Sequence, residues 1–305
     1  MTLAILCPGQ GAQHATMLDG INGHPAAEAV LRAGAQALGV DAREWLADPE
    51  RLHANAIAQP LICLAELATW AALRDELPEP KAFAGYSVGE LAAYGCAGAL
   101  DAAELARLAR TRASLMDAAS TRPGGLVALR GVPRGEVEAW CAGGAAWIAI
   151  VNGHDAFVVG GATAGLDAIE ERATARRARV TRLKVGVASH TPLLAPAVEP
   201  LRAALEQSGL RAPAVPVVAG IDASWVTSRA AAVATLAAQV AAPIEWARCL
   251  EALYERGCRR FLELGPGAAL SAMVRELLPT DVEARSVSEF RSLAGVASWV
   301  RRASG

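Results

Sequence analysis

Short apolar runs typical of β-strands alternate along this chain with longer segments of helical periodicity. The clearest strand-like runs are residues 3–7, 81–85 and 259–264, of which the first and last end at Pro-Gly or Gly-Pro turns. Apolar residues recur with helical spacing over residues 26–38, 60–77 and 88–97. Alternation of this kind predicts an α/β fold with a mostly parallel sheet.

The middle of the chain has a different order of elements. We predict strands and helices, in chain order, at residues 126–132 (strand), 134–141 (helix), 147–152 (strand), 156–162 (strand), 164–175 (helix) and 180–187 (strand). This βαββαβ order is that of the ferredoxin-like unit. We therefore predict a large α/β-hydrolase-like domain, residues 1–123 and 191–305, with a ferredoxin-like small domain, residues 124–190, inserted into it. The cleft between two domains is a frequent place for a ligand site.

Charge and composition argue against several classes of protein. The 29 basic and 31 acidic residues give a formal net charge of −2, whereas nucleic-acid-binding domains are usually strongly basic. The Ala-rich run at residues 230–244 is short and contains Thr235, Gln239 and Pro243, so we expect no membrane span there. The six cysteines show no Cys-x-x-Cys spacing, which argues against a zinc site or a redox motif. We therefore expect no bound metal. Since the N-terminus lacks the basic segment of a signal peptide, we expect a cytoplasmic protein.

Residues 85–89 read Gly-Tyr-Ser-Val-Gly and fit the Gly-x-Ser-x-Gly pattern of a nucleophile elbow. The pattern alone is weakly specific, but a predicted strand precedes it and a predicted helix follows it, as an elbow requires. The hydroxyl of Ser87 would then lie at a helix N-terminus, which favours developing negative charge. We predict that Ser87 is a nucleophile; the alternative is a tight turn with a solvated serine.

A serine nucleophile needs a base, and the chain has five histidines. His190 follows the apolar residues 185–188, which we predict to be the end of a strand, and it lies beside the predicted domain boundary. A histidine there can face the cleft. We favour His190 as the base over the alternative of a structural histidine.

Arg112 lies in a long helix for which we predict Asp101 as the N-cap and Glu104 as its capping-box partner. Apolar residues three or four positions away place Arg112 on the buried face of that helix. Because an unpaired buried charge is costly, Arg112 needs a partner. A substrate carboxylate is one candidate. An internal ion pair or a surface position is the alternative.

Gln10 lies between two glycines directly after the first predicted strand. The glycines allow backbone N–H groups to point into a site, as an oxyanion hole requires. A plain strand-to-helix turn is the alternative. The segment does not fit the phosphate-binding patterns Gly-x-x-x-x-Gly-Lys-Ser/Thr or Gly-x-Gly-x-x-Gly.

Several motifs occur in order over nearly the whole chain. They are Pro-Gly-Gln-Gly-Ala-Gln at 8–13, Gly-Tyr-Ser-Val-Gly-Glu at 85–90, Arg112 at 25 residues after Ser87, Ala-Ser-His at 188–190, Gln239 with Pro-Ile-Glu-Trp at 243–246, and Glu-Leu-Gly-Pro-Gly at 263–267. Together they resemble the malonyl-CoA:acyl-carrier-protein transacylase family. One departure is Tyr86, where that family usually has histidine.

The resemblance implies an acyltransferase that moves a malonyl group from malonyl-CoA to the phosphopantetheine-type thiol of an acyl carrier protein. The implied roles are nucleophile for Ser87, base for His190, orientation of that histidine for Gln239, an oxyanion hole for the backbone N–H groups of Gln10 and Val88, and carboxylate binding for Arg112. No bound cofactor is implied, because a thioester is already activated. We expect a carrier protein and a CoA thioester as partners, and neither nucleic acid nor a membrane.

The segments at 85–90, 188–194 and 284–296 most resemble the epsilon subunit of malonate decarboxylase, which transfers malonyl to the carrier protein of that enzyme. We favour this branch, with a fatty-acid or polyketide transacylase as the alternative. A serine thioesterase or esterase of the α/β-hydrolase class is a rival, although no His-Gly-Gly-Gly-type oxyanion segment is present. A non-catalytic docking subunit is a third interpretation, disfavoured by the presence of Ser87, His190 and Arg112.

Overall fold

The computed structural model describes residues 2–302 of the chain, and two β-sheets organise this part of the protein. The strands are β1 (Thr2–Cys7), β2 (Ala82–Gly85), β3 (Gly124–Arg130), β4 (Ala146–Val151), β5 (Ala156–Ala162), β6 (Arg179–Arg182), β7 (Val217–Val218), β8 (Trp225–Val226), β9 (Cys258–Glu263) and β10 (Glu283–Ser286). The α-helices are α1 (Pro25–Leu38), α2 (Ala42–Leu46), α3 (Asn55–Leu73), α4 (Val88–Cys96), α5 (Ala102–Ala119), α6 (Arg134–Cys141), α7 (Thr163–Ala175), α8 (Ala195–Gln207), α9 (Arg229–Gln239), α10 (Trp246–Glu255), α11 (Ala269–Leu277) and α12 (Leu293–Arg301).

The larger sheet has the strand order β10-β9-β1-β2-β7-β8. Neighbouring strands from β10 to β7 are parallel, and the edge strand β8 is antiparallel to β7. Alternate residues of β1 enter different cores: Leu3, Ile5 and Cys7 pack with α3, α4 and α5, whereas Ala4 and Leu6 face α10 and α11. The predicted mostly parallel α/β sheet is confirmed.

The smaller sheet has the order β4-β5-β3-β6, with every neighbouring pair antiparallel. With α6 and α7 it forms the predicted ferredoxin-like βαββαβ unit. Residues 124–182 make this sheet, while the exact domain limits at 124 and 190 stay a prediction. The sheet packs on the larger one, because Leu126 and Ile150 join the same apolar cluster as Leu6 and Trp246.

One predicted strand is too long. We expected residues 180–187 to be extended, but β6 ends at Arg182 and only the backbone N–H of Leu183 still bonds to the small sheet. The apolar residues at 183, 185 and 187 line a cleft rather than the face of a sheet. Their alternation imitates the two-residue period of a strand, so the pattern was misleading.

Helix α3 begins five residues earlier than the predicted start at residue 60, so that Pro60 lies inside the helix. Together with the turn after it, residues Asn55–Glu76 are long and apolar enough to cross a membrane, but 89% of the residues in the apolar window are buried inside the protein. The helix packs against α1, α4 and α5. It is therefore a central core helix, which explains why its sequence is apolar on nearly every side.

The N-cap of α5 is partly as predicted. Asp101 accepts a hydrogen bond from the backbone N–H of Glu104 at 2.8 Å, as an N-cap does. The predicted reciprocal bond of a capping box is wrong: the Glu104 carboxylate instead pairs with Arg107 and accepts from the N–H of Gly209. The cap still fixes the start of the helix that carries Arg112.

Candidate active site

Ser87 lies in the sharp turn between the end of β2 and the start of α4. Its backbone has φ 57° and ψ −117°, a conformation that side-chain-bearing residues rarely adopt. A Cβ at Gly85 would overlap the backbone of Gly89 and Glu90, and one at Gly89 would overlap the carbonyl oxygen of Cys7. Both glycines are thus required by close backbone packing, and the predicted nucleophile-elbow geometry is present.

The hydroxyl of Ser87 is within hydrogen-bond distance of an imidazole. Ser87 Oγ lies 2.7 Å from His190 Nε2, although the two residues are 103 positions apart. The side chain of Ser87 is half-buried and lines the cleft, whereas His190 is fully buried. A proton can therefore pass directly between these two atoms.

His190 is held by two backbone carbonyl groups. Its ring Nδ1 lies 2.7 Å from the backbone carbonyl oxygen of Gln239, and its backbone N–H donates to the carbonyl oxygen of Val240. Nδ1 must carry the proton that it donates to this carbonyl, which leaves Nε2 as an acceptor for the serine hydroxyl. His190 lies in a turn with φ 63°, not at the end of the predicted strand.

The imidazole of His190 is neutral over a wide pH range. Burial lowers its pKa, the positive charge of Arg112 lowers it further, and the hydrogen bond to Gln239 opposes both, so that the pKa falls to about 3. At neutral pH the imidazole is therefore in the form that can accept a proton.

Arg112 is 3% exposed and projects from the middle of α5 into the same cleft. Its Nη1 donates to Gln59 Oε1 at 2.8 Å, and its Nη2 donates to Gln239 Oε1 at 3.0 Å. Both partners are neutral amides, and Arg112 takes part in none of the ion pairs found within residues 2–302. Burial lowers its pKa to about 10, so the group stays charged at neutral pH. The alternatives of an internal ion pair and of a surface position are both wrong.

The structure brings Gln10 and Val88 to the same place as Ser87. Gln10 lines the cleft, and the preceding Gly9 is packed so closely that a Cβ there would lie 2.7 Å from the carbonyl oxygen of Tyr86. Val88 is the first residue of α4. The first N–H groups of a helix have no acceptor within the helix, so the backbone N–H of Val88 can bind an anion.

The cleft lies between the two sheets. Leu126 and Ile150 of the small sheet form one wall, and Leu183, Val185 and Val187 of the following loop form another. Ser87, His190 and Arg112 all line this cleft, as the sequence predicted. The arrangement places a hydroxyl, a neutral imidazole and a buried cation in a cleft that is lined by apolar side chains and by the amides of Asn55 and Gln59.

A comparison with protein families identifies the chain. The family described as "Acyl transferase domain" matches residues 5–300. The chain belongs to the acyl transferase domain family.

Individual relatives of this acyl transferase domain agree with that assignment. The chain is 33% identical over 291 residues to the malonyl CoA-acyl carrier protein transacylase of Mycobacterium tuberculosis (strain ATCC 25618 / H37Rv). The match covers 93% of this chain and 96% of the relative. The fold of this chain matches the malonyl CoA-acyl carrier protein transacylase of Coxiella burnetii with a TM-score of 0.93, 26% identity and coverage of 99% and 98% of the two chains. It also matches, with a TM-score of 0.91, 27% identity and coverage of 98% and 99%, a malonyl-transacylase solved in complex with a type II PKS acyl carrier protein.

Tyr86, the departure noted in the sequence, links this domain's two sheets. Its hydroxyl lies 3.1 Å from Asn152 Oδ1 at the end of β4, and its ring packs edge-on against Trp246 at 5.3 Å. Burial raises the pKa of the phenol well above its usual value. The residue lines the cleft beside Ser87, and the raised pKa keeps its phenol protonated at neutral pH.

Sequence reasoning gave no role to two residues of this acyl transferase domain, one that lines the cleft and one that lies behind it. Gln59 bonds to Arg112, and Glu90 bonds to the side chain of Gln239 at 2.6 Å. Both are polar residues inside apolar helices, and that signal was present in the sequence. Gln239 itself contacts His190 through its backbone carbonyl, whereas its side chain serves Arg112 and Glu90.

Proposed function

We propose that this acyl transferase domain moves a malonyl group from malonyl-CoA to the thiol of an acyl carrier protein, through a malonyl ester of Ser87. The observation that carries the proposal is the buried guanidinium of Arg112, which donates to the neutral amides of Gln59 and Gln239 and lies in the cleft that contains Ser87 and His190. Relatives named as malonyl CoA-acyl carrier protein transacylases support it.

The nucleophilic step follows from the contact between Ser87 and His190. His190 Nε2 accepts the proton of the Ser87 hydroxyl while Oγ attacks the thioester carbonyl. The imidazolium that forms is stabilised at Nδ1 by the carbonyl oxygen of Gln239, 2.7 Å away. That backbone dipole takes the part that a carboxylate plays in a Ser-His-Asp triad.

The negative charge that develops on the carbonyl oxygen needs donors. We assign these to the backbone N–H groups of Val88 and Gln10, since Val88 begins α4 and the helix dipole favours an anion there. When the tetrahedral intermediate collapses, the C–S bond breaks and His190 returns its proton to the CoA sulfur.

The second half of the reaction reverses the first. The carrier's thiol attacks the malonyl ester of Ser87, and its proton passes to His190 Nε2. The ester C–O bond breaks, and the proton returns to Ser87 Oγ. A thioester is already activated and the product is another thioester, so the proposed chemistry requires no bound cofactor.

Arg112 selects the acyl group. A buried guanidinium binds a carboxylate by two parallel charge-assisted hydrogen bonds, which an acetyl group cannot form. The two amides that hold Arg112 are uncharged, so the carboxylate of malonyl would be its only anionic partner in the cleft.

The identity of the carrier is a finer question. The similarity to transacylases, including one solved with a type II PKS acyl carrier protein, favours a fatty-acid or polyketide carrier. From the sequence, this was the alternative to a malonate decarboxylase subunit. The preferred prediction, the carrier subunit of malonate decarboxylase, gains no support from these relatives. It stays a prediction that rests on the segments at 85–90, 188–194 and 284–296.

A transfer assay with three acceptors tests the proposal. Labelled malonyl-CoA is mixed with the protein and a holo fatty-acid carrier, a holo decarboxylase carrier or no carrier. Label on the carrier, free malonate and free CoA are measured. We expect label on the fatty-acid carrier and slow release of malonate without a carrier. Malonate released as fast as CoA would instead identify a hydrolase, and the absence of CoA release would identify a non-catalytic docking protein. Faster labelling of the decarboxylase carrier would reinstate that branch.

A further inference from the structure

A buried carboxylate that the proposed mechanism does not use lies directly behind the nucleophile. Glu90 is in the first turn of α4, three residues after Ser87, and is fully buried. Its Oε2 accepts hydrogen bonds from the N–H of Gly220 at 2.9 Å and from Nε2 of Gln239 at 2.6 Å. Its Oε1 has no hydrogen-bond partner among the described residues. Burying a carboxylate is costly, which points to a role for the bonds that it makes.

Glu90 fixes the direction in which the side-chain amide of Gln239 faces. An amide has one donor end and one acceptor end. The donor end of Gln239 faces Glu90 and also the backbone carbonyl of Ser87, at 3.2 Å, so the acceptor end faces Arg112. A flipped amide would set its oxygen against the carboxylate and its NH2 group against the guanidinium, which is unfavourable at both ends.

The orientation of Gln239 in turn holds the acyl-selecting cation. Arg112 Nη2 donates to Gln239 Oε1 at 3.0 Å, and its other terminal nitrogen donates to Gln59 Oε1. The chain of contacts runs from the carboxyl group of Glu90 to a neutral amide and on to a guanidinium. Burial raises the pKa of Glu90 to about 7, whereas the hydrogen bonds from Gly220 and Gln239 and the charge of Arg112 favour its ionised form. Arg112 therefore keeps its charge for a ligand, while its position is fixed by a group that it does not touch.

We propose that Glu90 is a positioning residue for acyl-group selection: it orients Gln239, which holds Arg112 where the guanidinium can bind the carboxylate of the acyl group. The inference rests on the proposed malonyl transfer. Glu90 does not line the cleft, and His190 is oriented by a backbone carbonyl rather than by a side chain. Loss of Glu90 should therefore act on selectivity more than on proton transfer.

Two variants separate the charge of Glu90 from its capacity to accept hydrogen bonds. Glu90→Gln keeps the shape and one acceptor oxygen, and Glu90→Met keeps the approximate volume but removes both acceptors. We expect the ratio of kcat/KM for malonyl-CoA to that for acetyl-CoA to fall about threefold in Glu90→Gln and about tenfold in Glu90→Met. The lower ratio should come from a higher KM for malonyl-CoA, with kcat/KM for acetyl-CoA changed less than about twofold.

A matched control distinguishes this effect from the general loss of a buried charge. Glu66 is also a fully buried glutamate, on α3, and neither of its carboxylate oxygens has a hydrogen-bond partner among residues 2–302. Glu66→Gln should leave the malonyl-to-acetyl ratio unchanged. If it lowers the ratio as much as Glu90→Gln does, the contact between Glu90 and Gln239 is not the cause.

A double-mutant cycle tests whether Glu90 acts through Arg112. In an Arg112→Ala background, Glu90→Gln should have no further effect on the ratio, because the residue that it positions is gone. A merely structural role would lower transfer of both acyl groups equally and would persist in that background. An unchanged ratio in Glu90→Gln and Glu90→Met, or an equal fall with and without Arg112, would overturn the inference. If the wild-type protein shows no preference for malonyl, it is instead the proposed function that fails.

Discussion

Replacing Arg112 by alanine removes the cation that we assign to acyl selection. The side chain is 3% exposed, so a bound carboxylate would pair with it away from bulk water. A hydrogen bond to a charged group contributes about 1.5–3 kcal/mol, which corresponds to a factor of about 10–150 in kcat/KM. We expect Arg112→Ala to lose malonyl transfer by that factor or more and to retain or gain acetyl transfer, because the acetyl group makes no use of the guanidinium.

The assay compares kcat/KM for malonyl-CoA and acetyl-CoA in the wild type, Arg112→Ala and Arg112→Lys. The lysine variant should also be impaired, since an ammonium group cannot reproduce the two parallel bonds. Arg107→Ala is a matched control, because Arg107 lies on the same helix but is exposed and pairs with Glu104. The unfolding midpoints of the variants and of the wild type are compared to check that a loss of activity is not caused by a loss of the fold. If Arg112→Ala prefers malonyl by the wild-type ratio, the assignment of Arg112 is wrong.

Three further predictions follow from the site and its supports. Because the pKa of His190 is lowered to about 3, its base form persists on acidification, and kcat/KM for acetyl-CoA should show no inflection near pH 6.5; a bend there would mean that the imidazole titrates normally. Gln239→Ala removes the side chain that holds Arg112, so kcat/KM for malonyl-CoA should fall about tenfold. It leaves the backbone carbonyl that bonds His190, so acetyl transfer should be nearly unchanged, and a loss of about 10⁴ with both substrates would contradict this. Gly89→Ala, whose new Cβ overlaps a carbonyl oxygen of β1, should destabilise the protein by about 3 kcal/mol or more in urea unfolding, whereas Gly143→Ala, with open space around it, should be close to neutral.

The nucleophile elbow was predictable from sequence because its requirements are local. Gly85 and Gly89 are needed wherever a strand meets a helix at a close backbone crossing, so their spacing around Ser87 carries the geometry with it. The burial of Arg112 was predictable for a similar reason, since the apolar residues one turn away define the face of α5 that enters the core.

The partners of those residues were not predictable in the same way. Whether Arg112 meets a carboxylate or an amide depends on Gln59 and Gln239, which come from helices 53 and 127 positions away. The bond between His190 and a backbone carbonyl has no side-chain signature at all. The residues that follow β6 alternate like a strand because they line a cleft, and only the tertiary structure distinguishes the two cases.

Mass spectrometry of the acyl-enzyme tests the central claim most directly. The protein is mixed with malonyl-CoA in the absence of a carrier, quenched in acid and digested, and the peptide that contains Ser87 is analysed. We predict one malonyl group on Ser87 in the wild type and none in Ser87→Ala, with loss of the group on addition of a holo carrier. A malonyl adduct that survives in Ser87→Ala, or one located on another residue of the wild type, would contradict the account.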